Sequence, residues 1–260
     1  MRAIAVCSGK GGVGKTTVAV NLSILLAQAG KKVVLVDSDV AMANVGITLG
    51  IERAPLNLHN VLAGETSVTD AMYEGPAKIK YVPSGLSLDG LKKLDFSRFG
   101  PAMAELGRSA EYVIIDCPPG LDPSTQQVLK SSKELLLVVT PDPSSLADAL
   151  KVKQFASKSG LKITGIVLNR LTGDQDEVKP ADIETLLDVK VIASIPEDPE
   201  VRRSTQRQVP LAMKNQGSPA VIALRKLAAE IAGEKYAPPA ASKRGFFQGI
   251  LDAIFGRKNQ

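Results

Sequence analysis

Residues Gly9 to Thr17 read Gly-Lys-Gly-Gly-Val-Gly-Lys-Thr-Thr, and few stretches of nine residues commit a chain to a fold so firmly. The stretch satisfies G-x-x-x-x-G-K-[ST] at Gly9, Gly14, Lys15 and Thr16, the pattern of a loop that wraps phosphate. Such a loop works only between a strand and a helix. Its glycines let successive N–H groups turn inward, and the N-terminus of the following helix adds the positive end of its dipole. The sequence supplies both flanks: Ala3 to Ser8 is apolar and of strand length, and Thr17 to Ala29 sets Val18, Leu22, Leu25 and Leu26 at helical spacing before Gly30 stops the helix. Gly11, Gly12, Val13, Gly14 and Thr17 are then expected around a nucleotide's phosphates, with Lys15 on the β- and γ-phosphates and the Thr16 hydroxyl on Mg²⁺.

The rest of the chain continues the alternation. Apolar runs of strand length recur at Lys32 to Asp37, Lys78 to Val82, Tyr112 to Asp116, Glu134 to Thr140, Lys162 to Asn169 and Val189 to Ile195. Helical patterns occupy Pro123 to Ser132, Pro143 to Ser157, Ala181 to Leu187, Glu200 to Gln206 and Ser218 to Ala232. Helices between strands mean crossovers, so the expected class is α/β, with a mainly parallel β-sheet and helices on both faces over residues 1–232. At 260 residues and 44% hydrophobic content the chain can bury one large core. Cys7 and Cys117 lie too far apart in sequence for a short Cys-x-x-Cys site, which fits a reducing cytoplasm. Met1-Arg2 runs straight into the first strand with no room for a signal peptide, and no apolar run approaches the ~20 residues of a spanning helix.

Three carboxylates extend the site. Val33 to Asp39 is a buried strand whose carboxyl end carries Asp37 and Asp39, and ligands of open α/β sheets sit outside such ends, so both acids are expected near the phosphates. Asp37 has a second reading, as a cap for the turn that follows. Asp39 is the better candidate to position an attacking water, directly or through the metal's water shell. Tyr112 to Asp116 also runs apolar to acidic and then meets Cys117-Pro118-Pro119-Gly120, which puts Asp116 where a carboxylate reaches Mg²⁺ through water. Gly120 can bring a backbone N–H close to the γ-phosphate, and Pro119 stiffens a loop able to transmit its gain or loss.

Lys10 is a second lysine at a position where an ordinary phosphate loop needs no particular side chain. Together with Lys15, Asp37-Ser38-Asp39 and Asp116-Cys117-Pro118-Pro119-Gly120, it resembles the signature of the deviant Walker A ATPases, the MinD/ParA family. The finer likeness is to the MinD branch, carried by Asp39 to Gly46 with Asn44 inside it, Val167-Leu168-Asn169-Arg170, Ile195-Pro196-Glu197-Asp198 and the terminal segment. The resemblance implies ATP and ADP with Mg²⁺ as ligands, a homodimer formed on ATP, and catalytic roles for Lys10, Lys15 and Asp39. It places Lys10 across the subunit boundary on the partner's phosphates, against the plainer alternatives that it is solvated or binds phosphate in its own subunit. It also implies metal contacts from Thr16, Asp39 and Asp116, adenine contacts from Asn169, Arg170, Pro196, Glu197 and Asp198, and nucleotide-sensing roles for Asp37, Asn44, Pro119 and Gly120.

The carboxyl-terminal segment has its own pattern. Residues 233–242 contain Pro238-Pro239 and three alanines, a composition suited to a linker. In residues 243–260, Phe246, Phe247, Ile250, Leu251, Ile254 and Phe255 share one half of a helix while Gln248, Gly249 and Asp252 take the other. Lys243, Arg244, Arg257 and Lys258 bracket it and carry most of the chain's net charge of +5, leaving the body near balance. This is the expected form of an amphipathic helix lying on a lipid surface, and two such weak anchors on one dimer hold far better than one. The alternative is a helix docked on the body.

The implied protein is a slow ATPase stimulated by a partner, cytoplasmic and reversibly peripheral on the inner face of the cell membrane, with an activator and a cargo unidentified and a role in placing the division site. A flagellar-placement ATPase of the same type shares both loop and tail. A ParA-like DNA-partitioning ATPase leaves the tail unexplained, and the balanced body argues against nucleic acid. An iron–sulfur carrier lacks paired surface cysteines. His59, the only histidine, lies in what reads as a short surface helix and is assigned no chemistry.

Overall fold

A computed structural model describes residues 1–40, 42–51, 54–85 and 94–236. The strands are β1 (Arg2–Cys7), β2 (Val33–Asp37), β3 (Tyr73–Glu74), β4 (Lys80–Val82), β5 (Tyr112–Asp116), β6 (Glu134–Val139), β7 (Lys162–Leu171) and β8 (Val191–Pro196). They form one sheet in the order β3-β4-β2-β5-β1-β6-β7-β8. Every pairing is parallel except the edge pair β3 with β4. The helices are α1 (Lys15–Gln28), α2 (Val45–Leu49), α3 (Leu58–Ala63), α4 (Phe99–Leu106), α5 (Pro123–Ser131), α6 (Pro143–Lys158), α7 (Pro180–Leu187), α8 (Pro199–Gln206), α9 (Leu211–Lys214) and α10 (Pro219–Ala232).

The sheet separates two apolar layers because successive strand residues point to opposite faces. From β1, Ala3, Ala5 and Cys7 join the layer covered by α3, α4, α5, α6 and α7. Ile4 and Val6 join the other layer, with α1, α2, α9 and α10. The central strands β2, β5 and β6 are buried at every residue, which explains their continuous Val, Leu and Ile content. The expected α/β class with helices on both faces is the observed one.

Helix α1 is buried without interruption from Val18 to Leu26, since the sheet lies on one side and α10, α9 and α2 lie on the others. Its one buried amide is satisfied at both ends: Asn21 Nδ2 donates to the Thr17 carbonyl (2.8 Å) and Oδ1 accepts the Ala212 N–H (2.8 Å). At the opposite end of the strands from the phosphate loop, Arg2 donates to both carboxylate oxygens of Glu134 (2.7 and 2.6 Å) and to the Ile231 carbonyl near the end of α10. Lys31, just past α1, pairs with Glu234 at 2.6 Å. The first residues of the expected linker are therefore seated against the body. The rest of that linker and the whole segment with Phe246, Phe247, Ile250, Leu251, Ile254 and Phe255 lie outside the described residues.

Candidate nucleotide-binding site

The loop between β1 and α1 sits where β1 is flanked by β5 on one side and β6 on the other, in the crevice that such sheets use for ligands. Gly12 (φ 79°) and Gly14 (φ 96°) take left-handed conformations that strain any residue with a side chain. Gly9 is required for a different reason: a Cβ there would overlap the backbone of Asp148 in α6, which lies directly on the loop. Among the described residues no acceptor meets the backbone N–H groups of Gly11 to Gly14. Lys15 is 7% exposed, and no carboxylate among the described residues lies within ion-pairing distance of it. A buried ammonium with no carboxylate in contact with it, beside free N–H groups at a helix N-terminus, is a place for a polyanion.

The neighbouring strand supplies the metal side. Thr16 Oγ1 donates to Asp116 Oδ2 at 2.6 Å, and Asp116 Oδ1 is buried with no partner. Burial pushes the Asp116 carboxyl up to about 7, against the downward pull of the Thr16 hydroxyl and the Lys15 charge. An orphaned carboxylate oxygen beside a hydroxyl suits Mg²⁺, which takes one or two protein oxygens and the remainder from substrate phosphate and water. Among the described residues no three His, Cys, Asp or Glu side chains converge into a metal cluster.

The two acids after β2 are placed differently. Asp39 lines a cavity of about 350 Å³ together with Gly11, Gly12, Lys15, Thr16, Asn44 and Pro119. Asp37 is turned away and buried: its Oδ1 accepts the Asp39 N–H (3.1 Å) and its Oδ2 accepts those of Asn44 and Val45 (both 3.2 Å). It organises the turn, and its cap-like reading is the one the geometry favours. Burial first, and then the charge of Asp116 opposite it in register, push the Asp37 carboxyl well above its ordinary range. Asn44 closes the same turn, its amide donating to the Met42 carbonyl at 2.8 Å. Gly120 needs its left-handed backbone (φ 82°), but its N–H donates to the Ser8 carbonyl at 3.1 Å. That donor is engaged with the root of the phosphate loop.

A second cavity of about 410 Å³ adjoins the first through Gly14, Thr17 and Arg170 and is walled by Asn169, Ile195, Pro196, Glu197 and Asp198. A bulge makes it. Asn169 pairs with Ile195 and Leu171 with Pro196, so Arg170 is skipped in the register and adopts φ 62°. Asn169 Nδ2 donates to the Val13 carbonyl at 2.7 Å and packs on Gly14, stitching this hollow to the phosphate loop. Glu197 sits 3.9 Å from Arg170. Asp198 lines the hollow with its carboxylate engaged: its Oδ1 accepts the Glu200 N–H (2.9 Å) and its Oδ2 takes the Ser218 hydroxyl (2.5 Å) and the Ala220 N–H (3.4 Å), so the carboxylate serves as a cap for α8 and a brace for α10.

Three residues at the site carried no sequence signal. Asp142 caps α6 by accepting the Ser145 N–H (2.9 Å) and holds the Lys10 ammonium at 3.0 Å, a partner 132 positions away. Its carboxyl is pushed up by burial but held below its usual range by Thr140, Ser145 and Lys10 together. His59 is buried, not on the surface, and Ser84 is buried beside it. Both reach the backbone that follows β2.

A glycine loop joining strand to helix, a hydroxyl bound to a carboxylate on the adjacent strand, and a contiguous hollow beside them define a P-loop nucleotide-binding protein. Comparison with known proteins gives the family. Residues 4–211 match the CobQ/CobB/MinD/ParA nucleotide binding domain, and the chain belongs to that family. An uncharacterized ATP-binding protein of Methanocaldococcus jannaschii is 38% identical over 257 residues, spanning 98% of this chain and 97% of its own. The cell division ATPase MinD of Pyrococcus furiosus superposes with a TM-score of 0.86 at 37% identity, covering 89% of this chain and 98% of that one. The septum site-determining protein MinD of Pyrococcus horikoshii, solved with Mg-ADP, gives 0.85 at 35% identity over 88% and 95%.

Proposed function

We propose that this chain is a MinD-type ATP hydrolase that dimerises on ATP, attaches to a membrane through residues 243–260, lets go after hydrolysis, and serves in placing the division site. The observation that carries the nucleotide half is the buried Lys15, with no carboxylate in contact with it, beside the Thr16–Asp116 pair. The Mg-ADP held by the Pyrococcus horikoshii MinD supports the same ligand here.

In this reading the loop N–H groups and Lys15 bind the β- and γ-phosphates. Thr16 and Asp116 would hold Mg²⁺, and that ion would supply positive charge to offset what develops on the phosphate oxygens. Asp39 orients the attacking water, and Asn169 and Arg170 form the base pocket with Pro196 and Glu197. Lys10 leaves Asp142 and reaches the partner subunit's phosphates, so that two polyphosphates brought face to face are offset by cations from opposite chains. Joining two copies joins two tails, and the effective affinity for lipid rises by about 10² or more. Turnover is slow alone, because the motif itself supplies no arginine to the transition state.

The test is sedimentation with anionic liposomes. The full chain should pellet with vesicles in ATP more than in ADP, and deletion of residues 243–260 should abolish pelleting while ATP binding persists. Equal pelleting in both nucleotides would refute the switch, and DNA retention in ATP would favour the ParA-like alternative.

A further inference from the structure

Helix α3 begins with a capping box. The Asn57 side chain accepts the His59 and Asn60 N–H groups (3.0 and 3.4 Å), and Asn60 Oδ1 accepts the Asn57 N–H (3.1 Å). The Leu58 N–H donates to the Pro83 carbonyl at 2.8 Å, which fastens α3 to the loop after β4. Two side chains from this junction then reach the same dipeptide. His59 Nε2 lies 3.1 Å from the Val40 carbonyl, and since a carbonyl only accepts, that nitrogen carries the hydrogen. Ser84 Oγ donates to the Asp39 carbonyl at 3.0 Å. Gly85 completes the arrangement, because a Cβ at that position would overlap the imidazole.

The backbone of Asp39 and Val40 is thereby held at several points. Asp37 takes the Asp39 N–H, Ser84 takes its carbonyl, and His59 takes the next carbonyl. What remains to Asp39 is its carboxylate, which accepts the Met42 N–H at 3.0 Å and lines the cavity shared with Lys15 and Thr16. A short side chain on a loop can be aimed only as well as its backbone is fixed, and misplacement of a positioned group by about 1 Å costs up to ~10²-fold in rate.

We infer that His59 and Ser84 are positioning residues for hydrolysis, which clamp the Asp39–Val40 backbone so that the Asp39 carboxylate faces the phosphate cavity. The inference rests on the proposed water-orienting role of Asp39. Neither residue touches the nucleotide cavity, so the clamp acts on turnover and not on binding. Because the His59 contribution is a single N–H, a side chain that keeps a donor at that distance replaces it.

The experiment measures ATP turnover and Mg-ADP affinity of the full chain for His59→Phe, His59→Gln, Ser84→Ala and Asp39→Ala. Expected are turnover losses of about 10-fold in His59→Phe and a few-fold in Ser84→Ala, Mg-ADP affinity within twofold of the parent in both, and recovery of most of the turnover in His59→Gln. Turnover within twofold of the parent in both His59→Phe and Ser84→Ala overturns the clamp, as does a loss shared equally by Mg-ADP affinity. Asp39→Ala separates the two failures: parental turnover there sinks the role of Asp39 itself, whereas a loss there with intact turnover in the other two sinks only the clamp. Should His59→Phe fail to fold, Ser84→Ala and His59→Gln decide the matter on the same two readouts.

Discussion

Lys10 cannot be in two places. Its ammonium lies 3.0 Å from Asp142 Oδ1 with the two side chains 35% and 42% exposed, so a lysine that serves the partner subunit must first break an ion pair at home. A pair this wet contributes about 0.5 kcal/mol. A symmetric dimer breaks two of them, about 1 kcal/mol in all, which is roughly fivefold in the dimer dissociation constant. Asp142→Asn isolates that quantity. The amide oxygen still accepts the Ser145 N–H that caps α6, and the Thr140 hydroxyl, now a donor to Oδ2 at 2.6 Å, can rotate to accept from the new NH₂. Only the negative charge is lost. With hydrolysis blocked by Asp39→Ala, analytical ultracentrifugation in Mg-ATP should show the Asp142→Asn dimer about fivefold tighter, with ATP affinity unchanged and the gain shrinking as salt screens the pair. A dimer of equal or weaker affinity would refute the reasoning, since it would mean that Lys10 keeps Asp142 or that Asp142 itself helps the partner.

Two further expectations concern stability. Glu134 is buried and holds Arg2, and its carboxyl is lowered chiefly by the Arg2 hydrogen bonds, so Glu134→Gln should cost about 2–3 kcal/mol in urea unfolding at pH 7. A depressed folded pKa gives stability that is complete above the unfolded value and lost as pH falls through the folded one, so the gap to the parent should be constant above about pH 5 and close below about pH 4; a gap that stays open in acid would contradict the assignment. Asp116 has the opposite sign: with its folded pKa raised to about 7, the nucleotide-free parent should lose stability as pH rises from about 4 to 7, and Asp116→Asn should remove that loss. An Asp116→Asn advantage no larger at pH 8 than at pH 5 would count against it.

Much of the frame was readable because its signals are local. Tyr112–Asp116 is an uninterrupted apolar run between turn residues, and its limits coincide with the strand. Helices α5, α6, α7, α8 and α10 open with proline at their first position, which marks where each begins. Helix α4 escaped notice because Gly100 and Pro101 sit in its first turn and read as loop. The two-residue strand β3 is too short to show alternation. The functional loop obeyed a pattern, whereas its supports did not. Burial of His59 depends on Val40 and Gly85, and the partner of Lys10 comes from a different crossover, so neither leaves a trace in spacing. The carboxylates of Asp37 and Asp198 leave as little trace: both stand where a ligand is expected, but the nearest backbone N–H groups claim their oxygens first.

The seating of the chain beyond α10 has a consequence for engineering. Glu234 is tied to Lys31 at the end of α1 opposite the phosphate loop, and a helix of 14 residues puts about 21 Å between them. Glu234, near the end of the described residues, is therefore remote from the phosphate loop. On the proposed reading of residues 243–260 as an anchor, a different weak anchor joined after residue 236 should leave nucleotide binding and turnover at the parental level, because the splice is remote from the phosphate loop.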